Sequence, residues 1–363
     1  MSTSHENQFS QLPVVPNSDY NTSAAEYYER AYKQVSRALV GEDEAIAGYV
    51  AATISGLPVV LLGPPGGGKS VLLDHGHRLI DGIGENGRAF IPPQSDLTGK
   101  EMTGGTHISD KAVKEADGAE RSETTTIEYE GILTPDTQVV IADEINRANP
   151  TAVGAIFRAL EGSEIVNNTG IVALRKLIFA ALAINPRGTD RTVYPMSSAL
   201  VSRMGIGVDM GNNPNTKNAI IGAALRGEIG NPKDIKTVTD TTMLQRYRMQ
   251  AEAIGVSPEE FTRIGHMVRV SHDLLTECGI KEAVGRPAVQ IKRIAGALAI
   301  MSGSSVINAA TALQALKFQM VAHIGATEVR EDPHAVFNSL LDSVRATEKE
   351  RASWFVSRTH ATK

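Results

Sequence analysis

The residues best placed to do chemistry are Gly63-Pro64-Pro65-Gly66-Gly67-Gly68-Lys69-Ser70. A glycine, four residues and then Gly-Lys-Ser is the spacing of a phosphate-binding P-loop. The apolar run Pro58 to Leu62 before it, and Val71-Leu72-Leu73 after it, predict the required strand–loop–helix setting. Glycines accept backbone angles that turn successive N–H groups toward one anion. The helix start, from Lys69 through Val71, adds its partial positive charge. Lys69 would neutralise the β/γ-phosphates, and the Ser70 hydroxyl would ligate Mg²⁺. The predicted ligand is a nucleoside triphosphate.

A second group completes that chemistry. Gln138-Val139-Val140-Ile141-Ala142 reads as a buried strand, and Asp143-Glu144 stand at its carboxyl end. Ligands of open α/β sheets sit at this edge. Asp143 would hold the metal through water, and Glu144 would act as general base on the attacking water. Other polar residues carry less. Asp74, His75 and His77 lack the spacing of a helical metal site and are expected at the surface. Cys278 is expected to be a small buried apolar residue.

The elements that must position these residues follow in order. Residues 1–24 are polar and proline-punctuated, which predicts a mobile arm. A helical pattern runs from Ala24 to Leu39, and Val40 to Ala45 leads into a second helix through about Ser55. After the P-loop strand come a helix from Ser70 to about Ile80 and a strand Arg88–Ile91. Pro92 to Pro135 is irregular, with a short helix opened by Ser95-Asp96-Leu97-Thr98-Gly99 and a β-like run Thr124–Tyr129. So long an interruption suggests a functional insertion. A helix from Pro150 to Glu161, a hairpin over 163–174, a buried strand Leu177–Ile184, a short helix Ser197–Arg203 and a strand from Gly205 to Val208 complete an α/β part (25–209). From Met210 the pattern is helical: Ser257-Pro258-Glu259-Glu260 predicts a capping box and a helix to Glu277. Further helices are expected over 288–301, 309–324 and 334–345.

Composition narrows the partners. A net charge of −5 and a pI of about 6.0 supply no basic field for nucleic acid or anionic lipid. One cysteine excludes an internal disulfide. The first residues lack the layout of a signal peptide, and no apolar run reaches membrane-spanning length. A cytoplasmic location is expected.

Taken together, P-loop, insertion, Asp-Glu strand, hairpin, asparagine-ended strand, arginine and helical lid resemble the AAA+ ATPases, and more narrowly the MoxR group and its dynein-related relatives. The residues carrying the resemblance are Leu39-Val40-Gly41-Glu42-Asp43-Glu44, Gly63 to Ser70, Ser95 to Gly99, Ala142-Asp143-Glu144-Ile145-Asn146-Arg147-Ala148, Asn185-Pro186 and Tyr194-Pro195 to Arg203. The resemblance covers about residues 38–208, and the lid shares only its helical character. It implies an α/β fold with a three-layer αβα P-loop core, a C-terminal helical lid (210–363), a helix-2 insert within 92–135 and a pre-sensor-1 hairpin at 163–174.

The resemblance also implies roles. ATP would be the nucleotide, with Val40 and Gly41 lining the adenine pocket. Asn185 would be sensor 1 and orient the attacking water. Arg203 would be an arginine finger serving the neighbouring subunit; Met204 follows it where the family usually has phenylalanine, and Arg191 is the alternative. Arg286 would be sensor 2, with Arg293 on the same helix as its competitor. Arg147 would pair either across a subunit interface or within its own helix start. The implied assembly is a homo-oligomeric ring of six that remodels a protein, typically with a partner carrying a von Willebrand factor A domain. Two other readings remain at this stage: a nucleic-acid motor, and a nucleotide-dependent scaffold with negligible turnover.

Overall fold

The computed structural model describes residues 22–64, 66–92, 97–114, 120–162, 164–174, 177–185, 196–211, 214–280, 285–327 and 332–344. Helices α1 (Ala24–Val35) and α2 (Asp43–Ser55) lead into strand β1 (Val59–Leu62), and α3 (Lys69–His75) follows the P-loop. Next come β2 (Ile80–Asp81), β3 (Arg88–Ile91), α4 (Gly99–Thr103), and the long strands β4 (Gly105–Lys114) and β5 (Glu120–Tyr129). After these stand β6 (Val139–Ala142), α5 (Pro150–Gly162), the hairpin β7 (Glu164–Asn167) and β8 (Gly170–Ala173), β9 (Phe179–Ile184), α6 (Ser198–Val201) and β10 (Ile206–Asp209). The rest is mainly helical: α7 (Pro214–Leu225), the short β11 (Thr239–Asp240), α8 (Thr241–Ala253), α9 (Pro258–Glu277), α10 (Gly285–Met301), α11 (Ala309–Gly325) and α12 (333–344).

The sheet has five strands in the order β10-β1-β9-β6-β3, and every pairing is parallel. Parallel strands covered on both faces read as continuous apolar runs, which is why β1, β6 and β9 do. Their residues are buried throughout. Successive side chains point to opposite faces, so β1 feeds two separate apolar clusters. Val59 and Leu61 pack with α1, α2, α8, α10 and α11, while Val60 and Leu62 join α4 and α5. Two helical layers around one sheet follow.

The helical C-terminal part closes tightly on this core. An added Cβ at Gly207 would lie 2.1 Å from the Ala322 nitrogen, so only glycine lets α11 lie directly on β10. β11 pairs with β2, and the Val238 N–H donates to the Leu79 carbonyl. Val336, Leu340 and Val344 of α12 are buried in the same cluster as α11. This cluster therefore runs across the boundary expected near residue 210.

Several local expectations are corrected. The first helix stops at Val35, not Leu39, because Ser36 to Gly41 turn back; Gly41 takes φ 77°, and Leu39 lies against Gly68. The helix after the P-loop ends at His75 and tightens into a single 3₁₀ turn. Gly76 lies there against the Tyr49 ring, leaving no room for a side chain. His77 is buried, not at the surface, and its Nε2 is 3.0 Å from Arg88 Nη1. Pro258 opens α9, but the Ser257 side chain makes no cap bond; Val256 bridges to Ile307, and the Ser257 N–H points to the Ile307 carbonyl. Cys278 is only half-buried.

β4 had no counterpart in the sequence reading, which took those residues as an irregular excursion. It pairs antiparallel with all of β5. The expected arm lies almost wholly outside the described residues, as do Ser95, Asp96 and the loop 186–195.

Candidate nucleotide site

β1 ends at the P-loop, β9 at Asn185 and β6 at Asp143-Glu144, and these strands are neighbours. Asn185 therefore stands between the loop and the carboxylates at the carboxyl edge of the sheet. Within the loop, Gly63, Gly66 and Gly68 take φ of 147°, 82° and 87°. A Cβ on Gly63 would meet the Met210 carbonyl at 2.2 Å, and one on Gly68 would meet Leu39 Cδ1 at 2.6 Å. Pro64 and Gly67 are described, whereas Pro65 lies outside the described residues.

Lys69 is buried, and its Nζ donates to the Gly63 and Pro64 carbonyls at 2.5 and 2.9 Å. Burial lowers its pKa; the nearby charges of Asp143 and Glu144 oppose that shift. Ser70 is exposed beside it at the start of α3, with Val71 next, its N–H bonded to the Gly68 carbonyl. A hydroxyl and a carboxylate are the hard oxygen donors that suit Mg²⁺, so Ser70 and Asp143 fit the metal. The open glycine cradle and the lysine likewise fit a triphosphate.

Glu144 is held firmly. Its φ is 45°, in the left-handed region that non-glycine residues seldom enter. One carboxylate oxygen accepts from Asn185 Nδ2, and the other lies 2.8 Å from Arg147 Nε. Arg147 is therefore paired within its own turn. Asn146 Nδ2 donates to the Asn185 carbonyl at 3.1 Å, tying the ends of β6 and β9. Asn185 Oδ1 is buried and has no hydrogen-bond partner among the described residues. An acceptor beside a carboxylate at this edge is a fit for a water aimed at a bound phosphate.

The flank near Val40 is built by residues that the sequence reading left without roles. Glu42 is buried and accepts the Gly211 N–H at 2.8 Å; burial raises its pKa. The Gly41 carbonyl accepts from Thr216 Oγ1 at 2.9 Å. Leu39, Val40 and Gly41 are so drawn against the P-loop and the start of α7. Only the crossing from β10 into α7 brings Thr216 there, and no sequence spacing signals it.

The expected arginines lie elsewhere. Arg203 pairs with Glu161 at 2.7 Å through Nε, and its Nη1 donates to the Ala199 carbonyl. Arg286 pairs with the other Glu161 oxygen at 2.9 Å and donates to Ser202 Oγ at 3.0 Å. Neither bonds the P-loop of its own chain among the described residues. Arg293 donates to the Ser55 carbonyl, before β1, at the sheet edge opposite the P-loop. That position separates it from the nucleotide edge. Arg191 lies outside the described residues.

Residues 58–204 match the family described as AAA domain, dynein-related subfamily. This stretch is similar to that AAA domain family. It takes in the P-loop, both carboxylates, Asn185 and Arg203, and implies nucleotide binding. A solved structure from Cytophaga hutchinsonii, described as a candidate ATPase, is similar in fold at a TM-score of 0.63. The likeness covers 88% of this chain and 95% of that one at 14% identity, and so extends beyond the AAA domain into the helical part. No curated protein matches the sequence. Among the described residues, no helix is long and apolar enough to cross a membrane.

Proposed function

We propose that this protein hydrolyses ATP as a ring of like subunits and uses the cycle to remodel a protein partner. One observation carries the reading: Lys69, Asp143, Glu144 and Asn185 converge at a single sheet edge, beside a glycine cradle. Lys69 exchanges its bonds to loop carbonyls for the β/γ-phosphates. Ser70 and Asp143 would hold Mg²⁺, which would neutralise charge on the phosphate oxygens. Glu144, positioned by Asn185 and Arg147, takes a proton from the attacking water. Arg203 and Arg286 bond Glu161 and the end of α6, not their own P-loop, among the described residues, which favours service to a neighbouring subunit. A heterologous contact whose rotation closes gives a ring, and six is the number that the MoxR resemblance suggests.

The same resemblance favours a chaperone-like role in activating a protein complex, with a von Willebrand factor A domain partner supplied by another polypeptide, in the cytoplasm. The acidic net charge favours a protein client over nucleic acid. Phosphate release with Mg²⁺ and ATP, with and without DNA, tests the reading. Turnover that is independent of DNA and grows with assembly on sedimentation supports it. A monomer with saturating ATP, or no release above a Lys69→Ala control, overturns it.

A further inference from the structure

Glu161 is the last charged residue of α5, one position before its terminal Gly162. A carboxylate there faces the negative end of the helix dipole, where cations are favoured. This local conflict is relieved from outside the helix. Arg203, from the end of α6, and Arg286, from the start of α10, each take one of its oxygens. Gln290 of α10 adds a bond to the Ser202 carbonyl at 3.1 Å, fixing α10 against the α6 end. One carboxylate thus gathers two guanidiniums from segments far apart in the chain. The site stays reachable: the Arg203, Glu161 and Arg286 side chains are 26%, 38% and 45% exposed. Glu161 and Arg203 border an open cleft of about 380 Å³ lined also by Arg158 and Leu200.

We propose that Glu161 is a positioning residue that sets Arg203 and Arg286 side by side as one dicationic clamp for the neighbouring subunit's triphosphate. This rests on the ring ATPase reading above. Two guanidiniums on one carboxylate would otherwise repel and adopt many rotamers. Of their ten N–H donors, five each, four go to Glu161, Ala199 and Ser202, and the others are left for an incoming phosphate chain. Part of the neutralising role of the carboxylate passes to that phosphate on assembly. Glu161 touches no reacting atom, so its effect is on turnover and not on the binding of ATP by its own P-loop.

The test uses the full chain with Glu161→Ala and Glu161→Gln. Turnover should fall about tenfold or more for alanine, with the ATP concentration for half-maximal rate changed by less than about twofold. Glutamine, which keeps one of the two oxygens and turns the other into an NH₂ donor, should fall in between. Mixing separates positioning from general damage. Glu161→Ala mixed with Glu144→Gln should recover activity, because an intact P-loop site from one meets an intact clamp from the other. Glu161→Ala mixed with Arg203→Ala should not recover, since both defects lie on the same face. If Glu161→Ala fails to fold, the glutamine variant carries the same mixing test. Wild-type-like turnover in both variants, or recovery with Arg203→Ala, overturns the proposal. If instead the wild type lacks turnover altogether, the ATPase reading itself fails, and the clamp with it.

Discussion

Glu144→Gln separates catalysis from binding more sharply than any other single change, and the structure gives its expected size. The glutamate uses both oxygens, one on Asn185 Nδ2 and one 2.8 Å from Arg147 Nε. A glutamine keeps one oxygen and gains an NH₂, so a fixed Asn185 would leave two donors facing each other. Asn185 need not stay fixed. Its Oδ1 has no other hydrogen-bond partner among the described residues, so flipping the amide presents an acceptor to the new NH₂. The glutamine oxygen then remains on Arg147. Loss of the negative charge weakens only a partly exposed ion pair, worth about 0–1 kcal/mol. The φ of 45° is unchanged by the substitution, so the melting temperature should move by a few degrees at most. Turnover loses its general base, a loss of roughly 10²–10⁴-fold. Phosphate release and ATP affinity measured on the same preparation decide the matter, with Lys69→Ala as the comparison that loses binding. Turnover within tenfold of wild type, or ATP binding as poor as in Lys69→Ala, would refute the assignment of Glu144.

Arg203→Ala should lose roughly 10³–10⁵ in turnover if it behaves as other arginine fingers do. Activity should return when it is mixed with Glu144→Gln, and a mixture that exchanges subunits yet stays inactive rules out a trans role. Gly207→Ala should destabilise the fold by about 1–3 kcal/mol or more, because its Cβ would lie 2.1 Å from the α11 backbone and has no rotamer of escape. The control Gly265→Ala, with open space around it in α9, should stabilise by about 0.4–1 kcal/mol; denaturant midpoints that reverse this order contradict the packing argument. Part of the acid sensitivity should come from His77, whose pKa burial pushes down from 6.5 to about 4. The unfolded chain takes up that proton near 6.5 and the folded chain does not, so its stabilising contribution is present above 6.5 and lost as pH falls toward 4. His334 has the opposite sign: its hydrogen bond to Asp209 raises the pKa, so its contribution is full below 6.5 and fades as pH rises through the folded value. Melting curves of His77→Gln and His334→Gln against pH should deviate from wild type in opposite directions, and parallel deviations would refute the signs.

Residues whose role depends on local chain geometry were legible in the sequence. The glycine spacing at 63–68, the apolar run into Asp143-Glu144 and the asparagine after Leu177–Ile184 each announce a strand end followed by a polar group. A parallel strand buried on both faces has to be an apolar run, and its carboxyl end has to be where polar groups emerge. The same logic recovered α9, α10 and α11 nearly to their ends. It failed where neighbours in space decide. His77 looked like a surface residue because burial by Arg88 and the β2–β11 pairing comes from distant segments. The Ser257 cap was lost to a bridge with Ile307, and β4 became a strand only because β5 pairs with it.

The sequence by itself placed the glycine loop, the two carboxylates and the asparagine at strand ends, because a strand buried on both faces must be an apolar run and polar groups emerge where it stops. Only the tertiary structure placed Arg293 at the sheet edge opposite the P-loop, drew Thr216 and Gly211 to the nucleotide flank, and joined Arg203 to Arg286 through Glu161. Those choices depend on how α7, α10 and α11 close over the sheet. That closure is set by packing, such as the bare backbone at Gly207 beneath α11, and packing between distant segments leaves no periodic trace in either of them.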